Sequence, residues 1–332
     1  MPDFSIGVDL GGTNLRIAAV SADGRMLDKI ALSTRIDLGC DQVVSDMCDA
    51  IFRLTAQYRG GGSFLGAGIG APGIIDFDAG VVRKSANLPG WTGYPVRAEL
   101  ERRLNARVFL DNDAHVAGLG EKWLGAGRDV DNMAMITLGT GIGGCLVLNG
   151  KAFPGMSGMS GEFGHITIEP EGIPCGCGNR GCAERYASAS AIARMAREAI
   201  ESGEAPTLAK AAASGAEFTP KAVYDLAMQG DAAAQRIFRS FGRALGMMLA
   251  DIVNVLNLDM YVLGGGVAAG WDAFAPAMFE ELRSRSVVYA ATAPADPLAK
   301  KEGASEGKKT IITRAILGGD AGLFGAARLP AL

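Results

Sequence analysis

The chain has 332 residues. This is too long for a protein built around one small hydrophobic core, and the length predicts a two-lobed globular protein. Hydrophobic residues make up 48% of the sequence and charged residues 20%, which excludes a disordered chain. The net charge is −4 and no run of Lys or Arg occurs, so we expect neither nucleic acid nor a membrane as a partner. The first residues lack a basic segment followed by a long apolar run, so we expect no signal peptide and a cytoplasmic protein.

Short apolar runs alternate with helical patterns in the first third of the chain. Residues 4–9 and 17–20 predict the two strands of a hairpin whose turn is rich in glycine. Apolar residues at helical spacing predict a helix over 41–58. The next predicted elements are a strand over 65–69, a helix over 96–104, a strand over 108–110 and a helix over 114–124.

The pattern of strand, Gly/Thr turn and strand returns at residues 135–148. This similarity to the first hairpin indicates an internal duplication, with one such hairpin in each lobe. Alternating strands and helices predict an α/β fold. The later predicted elements are helices over 187–201 and 231–256, a strand over 261–263 and a loop over 294–309.

Three glycine-rich loops follow predicted strands, at 9–16, 138–144 and 264–268. Glycine lets backbone N–H groups approach phosphate oxygens closely. In the first loop Thr13 adds a hydroxyl donor, and Asp9 can hold the water shell of Mg²⁺. This loop alone could equally be an ordinary hairpin turn, but three such loops at strand ends favour a nucleotide site. None of them is a Walker P-loop, and their spread along the chain indicates a nucleotide held between two lobes.

Asp113 is the predicted general base, because it follows a strand and begins a helix. Phosphorylation of an alcohol needs a base near the hydroxyl group. The side-chain amide of the adjacent Asn112 could bond a neighbouring sugar hydroxyl. Two alternatives stay open at this point: Asp113 could cap the helix that follows, or Asp111 could be the base.

The most specific motif contains three cysteines and a histidine, His165, Cys175, Cys177 and Cys182. Three thiolates and one imidazole form a tetrahedral zinc set, and the glycines between the cysteines permit a tight knuckle. Since protein side chains fill all four positions, the predicted zinc is structural. The alternative is three buried cysteines and an unrelated histidine. The polar residues Glu162, His165 and Glu184 surround the motif and are suited to sugar hydroxyls, His165 through the ring nitrogen that zinc leaves unused.

The three glycine loops resemble those of the actin-like ATPase fold that sugar kinases, Hsp70 and actin share. The metal motif, with Gly161-Glu-Phe-Gly-His165 and the C-terminal segment 317–326, resembles the ROK family (repressors, open reading frames and kinases), specifically its glucokinase-like kinases, over nearly the whole chain. The resemblance implies an α/β, two-lobed actin-like ATPase (ribonuclease H-like) fold with an active-site cleft between the lobes. The expected smaller lobe comprises 1–113 plus about 318–332, and the larger lobe, which carries the zinc motif, comprises 114–317.

The resemblance also implies roles for individual residues, with Asp113 as general base and His165, Cys175, Cys177 and Cys182 as zinc ligands. The implied cofactors are MgATP and one structural Zn²⁺. The implied hexose contacts are Asn87, Asn112, Asp113, Glu162, His165 and Glu184, with Gly73 also lining the pocket. The implied nucleotide contacts are Asp9, Gly11, Gly12, Thr13, Asn14, Arg16, Thr140, Gly141, Gly265 and Gly266.

These implications favour transfer of phosphate from ATP to the 6-hydroxyl group of a hexose, with glucose as the expected acceptor. We expect the protein to be a homodimer or a dimer of dimers. The alternatives are another acceptor (fructose, mannose or an N-acetylated hexosamine), a polyphosphate donor, or a sugar-responsive repressor. A repressor of this family carries an N-terminal helix-turn-helix domain, for which the strand from Phe4 leaves no room. The sequence departs from the family at His115, where Asn is common, and at Cys145, where Gly is common.

Overall fold

The computed structural model describes residues 2–58, 60–213, 219–298 and 308–332. Within those ranges the chain forms two five-stranded sheets and one short two-stranded sheet. The strands are β1 (Phe4–Leu10), β2 (Asn14–Ser21), β3 (Met26–Ser33), β4 (Phe64–Ala71), β5 (Ile74–Asp76), β6 (Val81–Lys84), β7 (Val108–Asn112), β8 (Met133–Leu138), β9 (Ile142–Leu148), β10 (Lys151–Ala152), β11 (Met260–Gly264) and β12 (Ile311–Arg314).

Ten α-helices lie in the same described ranges. Several begin with a side chain that accepts a backbone N–H group of the first turn, such as Ser188, Thr219 and Asp231. The helices are α1 (Cys40–Tyr58), α2 (Val96–Leu104), α3 (Asp113–Trp123), α4 (Ala189–Glu201), α5 (Pro206–Ala213), α6 (Pro220–Met228), α7 (Ala232–Leu256), α8 (Trp271–Arg285), α9 (Val287–Thr292) and α10 (Ala321–Arg328).

The first sheet has the strand order β3-β2-β1-β4-β7. Its first three strands pair antiparallel, whereas β1, β4 and β7 run parallel. Successive side chains of β2 point to opposite faces of the sheet, as they do in any strand. Ile17 and Ala19 belong to the core that α1 and α2 cover, whereas Ala18 and Val20 pack with Leu323 of α10. The parallel strands bring the ends of β1, β4 and β7 to one edge of the sheet, and Asp113 follows β7 directly.

The second sheet has the order β10-β9-β8-β11-β12. Numbered by their appearance within each sheet, the strands of both sheets follow the order 3-2-1-4-5. This shared order confirms the predicted duplication of architecture, and the mixture of sheets and helices confirms the α/β fold. The turn between β8 and β9 is shorter than predicted, because β9 already begins at Ile142 and takes up Gly143 and Gly144.

The chain divides into two compact units. The first comprises Met1–Met135, Cys145–Gly161 and Ala315–Leu332, and the second Ile136–Gly144 and Glu162–Arg314. These bounds differ from those of the two expected lobes, whose boundaries stay a prediction. Residues 299–307 of the predicted loop over 294–309 lie outside the described residues. In the part of the chain that the structure describes, no helix is both long and apolar enough to cross a membrane.

Candidate active site and metal centre

The first glycine loop is a tight turn between β1 and β2. The Gly11 N–H donates to the carbonyl oxygen of Asn14 at 2.8 Å. Thr34, which is fully buried, closes the turn from the side: its hydroxyl donates to the Gly11 carbonyl at 2.7 Å and its N–H to the Thr13 carbonyl at 2.9 Å. Gly12 lies against the backbone of Asn87, since a Cβ on Gly12 would be 2.7 Å from the Asn87 carbonyl oxygen. The first glycine loop is therefore held from the side by Thr34, and the predicted residue Asn87 lies next to it.

Asp9 and Arg16 face each other across the β1–β2 ladder and form an ion pair. Arg16 also lies 3.9 Å from Asp320, which in turn accepts from Lys29 at 2.9 Å. Because opposite charges alternate in this network, the Asp9 carboxylate is held in a fixed orientation near the loop.

Asn112, and not Asp113, caps helix α3. Its Oδ1 accepts the N–H groups of Ala114 at 2.8 Å and of His115 at 3.3 Å. Its Nδ2 donates to the carbonyl oxygen of Gly73 at 2.9 Å. One amide hydrogen of Asn112 is left for a ligand, because an NH₂ group carries two. The structure thus removes the capping alternative for Asp113 and brings Gly73 to the same place.

Asp113 occupies the first position of α3, where its Oδ1 accepts from the N–H of Ala114 at 2.9 Å. Burial raises the pKa of its carboxyl group above the ordinary value, while the Ala114 N–H lowers it. The negative charge of Asp9 raises this pKa further, and His115 lowers it. A carboxylate with a raised pKa is a stronger base than an ordinary one, which suits proton abstraction from an alcohol.

Asp111, the rival base, is engaged with its neighbours. Its Oδ1 accepts the N–H of Asn112 at 2.6 Å and lies 3.1 Å from Nδ1 of His115. Asp111 thus has two partners on one carboxylate oxygen, whereas Oδ1 of Asp113 accepts from Ala114.

The second and third glycine loops meet within the second compact unit. The second loop is held by the start of α4, where Ser190 donates to the Thr140 carbonyl at 2.8 Å. Gly265 follows β11 with a φ of 84°, and a Cβ there would lie 2.4 Å from the carbonyl oxygen of Leu138. Gly266 begins the short 3₁₀ helix that comes next. The predicted nucleotide residues Thr140, Gly141, Gly265 and Gly266 thus lie at the ends of neighbouring strands.

The predicted metal ligands converge to one point. The ligand atoms of all four residues lie within 4.8 Å of one another. Nδ1 of His165 is 3.7 Å from Sγ of Cys175, and the sulfur atoms of Cys177 and Cys182 are also 3.7 Å apart. Tetrahedral zinc with bonds of about 2.3 Å to sulfur needs sulfur atoms roughly 3.7 Å apart, so the residues fit this ion. Nε2, the other ring nitrogen of His165, lies 3.8 Å from Oε2 of Glu162.

Glu184 lies between the metal motif and the second glycine loop. Cys182, one of the four candidate metal ligands, lies two residues before Glu184. Oε2 of Glu184 accepts the N–H of Ile142 at 2.9 Å. The second unit thus brings Glu162, His165 and Glu184 around one motif. The first unit separately brings together Asn87, Asn112, Asp113 and the loop from Asp9 to Arg16.

Sequence reasoning missed two residues that hold the site. Thr34 belongs to no motif, and nothing in the sequence indicates that it would bond Gly11 and Thr13 of the earlier loop. Asp320 does lie in the C-terminal motif at 317–326, so that motif was a signal for it, but not for its contact with Arg16.

Comparison with known proteins gives a consistent result. The model of the ROK family matches residues 5–330. The glucokinase of Halalkalibacterium halodurans is 37% identical over 96% of this chain and 92% of its own length, and that of Thermotoga maritima is 38% identical over 86% and 87%. The structure of a ROK family glucokinase from Streptomyces griseus in complex with glucose and AMPPNP superimposes with a TM-score of 0.78, at 31% identity and 98% coverage of each chain. The chain therefore belongs to the ROK family and has the actin-like ATPase fold of its sugar kinases.

Proposed function

We propose that this protein is an ATP-dependent glucokinase that transfers the γ-phosphoryl group of ATP to the 6-hydroxyl group of glucose. The observation that carries the proposal is the similarity, along most of the chain, to two proteins named as glucokinases. The glucose and AMPPNP bound to the Streptomyces griseus relative support the choice of both substrates.

Asp113 is the proposed general base. Its carboxylate lies at the start of α3, where Asn112 fixes the helix end, and burial raises the pKa of Asp113. It would accept the proton of the 6-hydroxyl group as the oxygen attacks the γ-phosphorus. The Asn112 amide hydrogen that does not bond Gly73 would donate to a neighbouring sugar hydroxyl.

The nucleotide phosphates would be bound by backbone N–H groups and hydroxyl groups of the first and second loops, with Thr13 and Thr140 as side-chain donors. Mg²⁺ bound with ATP supplies positive charge that offsets the charge of the transferring group. Asp9 would bond the water shell of this ion, and its ion pair with Arg16 orients the Asp9 carboxylate. Gly265 and Gly266 would lie along the adenosine.

Glu162, His165 and Glu184 are the proposed sugar contacts from the second unit. One structural Zn²⁺ on His165 Nδ1 and the three thiols would fix the ring of His165. Nε2 would then carry the ring proton and donate to a sugar hydroxyl in a fixed tautomer. The metal would have no free position for water, so it would shape the pocket without taking part in the chemistry.

The decisive experiment is a coupled assay of ADP release with glucose, fructose, mannose and two N-acetylhexosamines as acceptors. We expect the highest kcat/KM with glucose. Release with another sugar, and none with glucose, would change the acceptor but keep the kinase. Tight sugar binding without ADP release from any acceptor would instead favour the sugar-binding repressor.

A further inference from the structure

His115 connects the helix of the proposed base with a loop that is far away in sequence. It is 5% exposed and occupies the third position of α3, two residues after Asp113. Nδ1 lies 3.1 Å from Oδ1 of Asp111, and Nε2 lies 3.0 Å from the carbonyl oxygen of Ser160. The ring also stacks on Phe77, with centroids 6.1 Å apart and planes at 18°. Both nitrogens of a buried ring are therefore used.

These partners determine where the protons of the ring are. A carbonyl oxygen only accepts, so Nε2 must donate to Ser160. Oδ1 of Asp111 accepts the N–H of Asn112 at 2.6 Å, so this oxygen acts as a hydrogen-bond acceptor. A carboxylate at Asp111 makes Nδ1 a donor as well. The two partners therefore suit an imidazolium between a carboxylate and a carbonyl group, with one charge-assisted bond to each.

Ser160 belongs to a loop that closes on itself. Its N–H donates to the carbonyl oxygen of Pro154 at 3.1 Å and its hydroxyl to that of Phe153. The large apolar side chains of this loop, Phe153, Met156 and Met159, are all exposed. The chain then continues into Glu162, two residues after Ser160. The bond from His115 attaches this loop, which we call the 153–160 loop, to helix α3.

We propose that His115 is a positioning residue for phosphoryl transfer: with a proton on both ring nitrogens, it holds the 153–160 loop, which leads into Glu162, on the helix that begins with Asp113. This inference rests on the proposed function. It gives a role to the position at which the resemblance leads us to expect Asn, whose side chain is too short to reach both partners.

The charge of the ring has a second consequence. A positive charge two residues from Asp113 lowers the pKa of that carboxyl group and opposes the effect of burial. Besides Asp111, the charged side chains that line the same cavity of about 580 Å³ as His115 are Asp76, Asp78 and Arg83. Arg83 and Asp76 pair with each other at 2.6 Å, so they add little net charge.

Imidazole NMR tests the proton count. The chain contains only two histidines, so ¹⁵N spectra of the ring nitrogens show two spin systems, and the one that disappears in His115→Asn belongs to His115. We expect both nitrogens of His115 to carry a proton at pH 7. A ring with a single proton would overturn the proposal.

Three variants test the positioning role. His115→Asn keeps a donor toward Asp111 but loses Ser160, His115→Gln places its amide nitrogen near the position of Nε2 and keeps Ser160, and His115→Phe keeps only the stacking on Phe77. We expect the KM for glucose to rise about tenfold in the Asn and Phe variants and to stay within about threefold in the Gln variant. In all three the acidic limb of the kcat profile should move to higher pH, because the positive charge is lost.

ADP release by the unmodified protein with glucose decides the proposed function separately. If that activity is present, equal KM values for the Asn and Gln variants, or an unmoved acidic limb, would overturn the role of His115. Amide exchange of residues 153–160 is measured in parallel, and it should be faster in the Asn variant than in the Gln variant. Unchanged melting temperatures verify that the variants fold.

Discussion

Glu184 accepts a hydrogen bond from the backbone N–H of Ile142, with 2.9 Å between Oε2 and the nitrogen. This oxygen leaves no space for a side chain at Gly141, because a Cβ there would lie 2.1 Å from it. One carboxylate thus links the segment that holds the metal motif with the second glycine loop. A proposed sugar contact and a proposed phosphate loop are therefore coupled within one compact unit.

Gly141→Ala should displace the Glu184 carboxylate. We expect the KM for glucose to rise by about tenfold or more, the size of effect that a lost hydrogen bond to a charged group produces. Gly139→Ala is the matched comparison, since it adds the same methyl group to the same loop at a position with nothing within 4 Å. Steady-state kinetics with glucose as the varied substrate measure both. Equal effects of the two variants would contradict the role of this contact.

Asp113→Asn should abolish proton abstraction while it preserves the local structure. The amide oxygen can still accept the N–H of Ala114, which Asp113 accepts at 2.9 Å. We expect kcat to fall by about 10²- to 10⁴-fold, with glucose affinity nearly unchanged. ADP release and calorimetric glucose titration separate the two effects. Retained turnover would place the base elsewhere, and Asp111→Asn would be examined next.

The raised pKa of Asp113 also predicts a stability effect with a definite sign. A folded-state pKa above the unfolded value means that the folded protein binds the proton more tightly, so this group stabilises the fold at low pH. That contribution is lost as the pH rises through the folded pKa. Asp113→Asn, which is never ionised, should therefore be more stable than the original protein at pH 7, whereas the difference should vanish below about pH 4. Thermal melts at several pH values measure it, and a destabilised variant at pH 7 would refute the assignment.

Elements with long periodic patterns were predictable from the sequence. The helix over 96–104 matches α2, and the helix over 41–58 matches α1 except for Cys40, because both bury one apolar stripe. Strand β3 was missed because none of its residues is buried and its sequence shows little apolar alternation. Strands β5 and β6 are only three and four residues long, too short for a period to be recognised.

The site was predictable where the chemistry is local and not where it depends on packing. The metal residues have a characteristic spacing, and the structure brings them together. The capping role of Asn112 needed the structure, since either Asn112 or Asp113 can cap a helix. Helix α10 was not predicted as a helix, because glycines interrupt its apolar pattern. Gly325 in fact lets α10 approach α3, since a Cβ there would lie 1.6 Å from the Val116 carbonyl oxygen.

The metal site predicts one zinc ion per chain, bound by His165 and the three cysteines. Cys175→Ser should lose the ion, lower the melting temperature and raise the KM for glucose more than that for ATP, because the ring of His165 is then no longer fixed. Atomic absorption and melting curves measure the first two effects. Cys40→Ser is the control, since Cys40 lies outside the cluster and its sulfur contacts only the Gly90 carbonyl among the hydrogen bonds described. Equal loss of affinity for both substrates would instead indicate general unfolding.

Glu121 is a fully buried carboxylate that joins α3 to the segment before α10. Oε2 accepts the N–H of Ala126 at 2.8 Å, and Oε1 accepts those of Leu317 at 2.8 Å and Ile316 at 3.1 Å. Glu121→Ala removes the partner of these three donors, and a hydrogen bond to a charged group contributes about 1.5–3 kcal/mol, so we expect a loss of roughly 3 kcal/mol or more in the free energy of unfolding. Glu198→Ala, which removes an exposed carboxylate paired with Arg194, should change it by about 0.5 kcal/mol or less. Urea unfolding of both variants tests the argument, and similar losses would show that burial of the carboxylate does not decide its contribution.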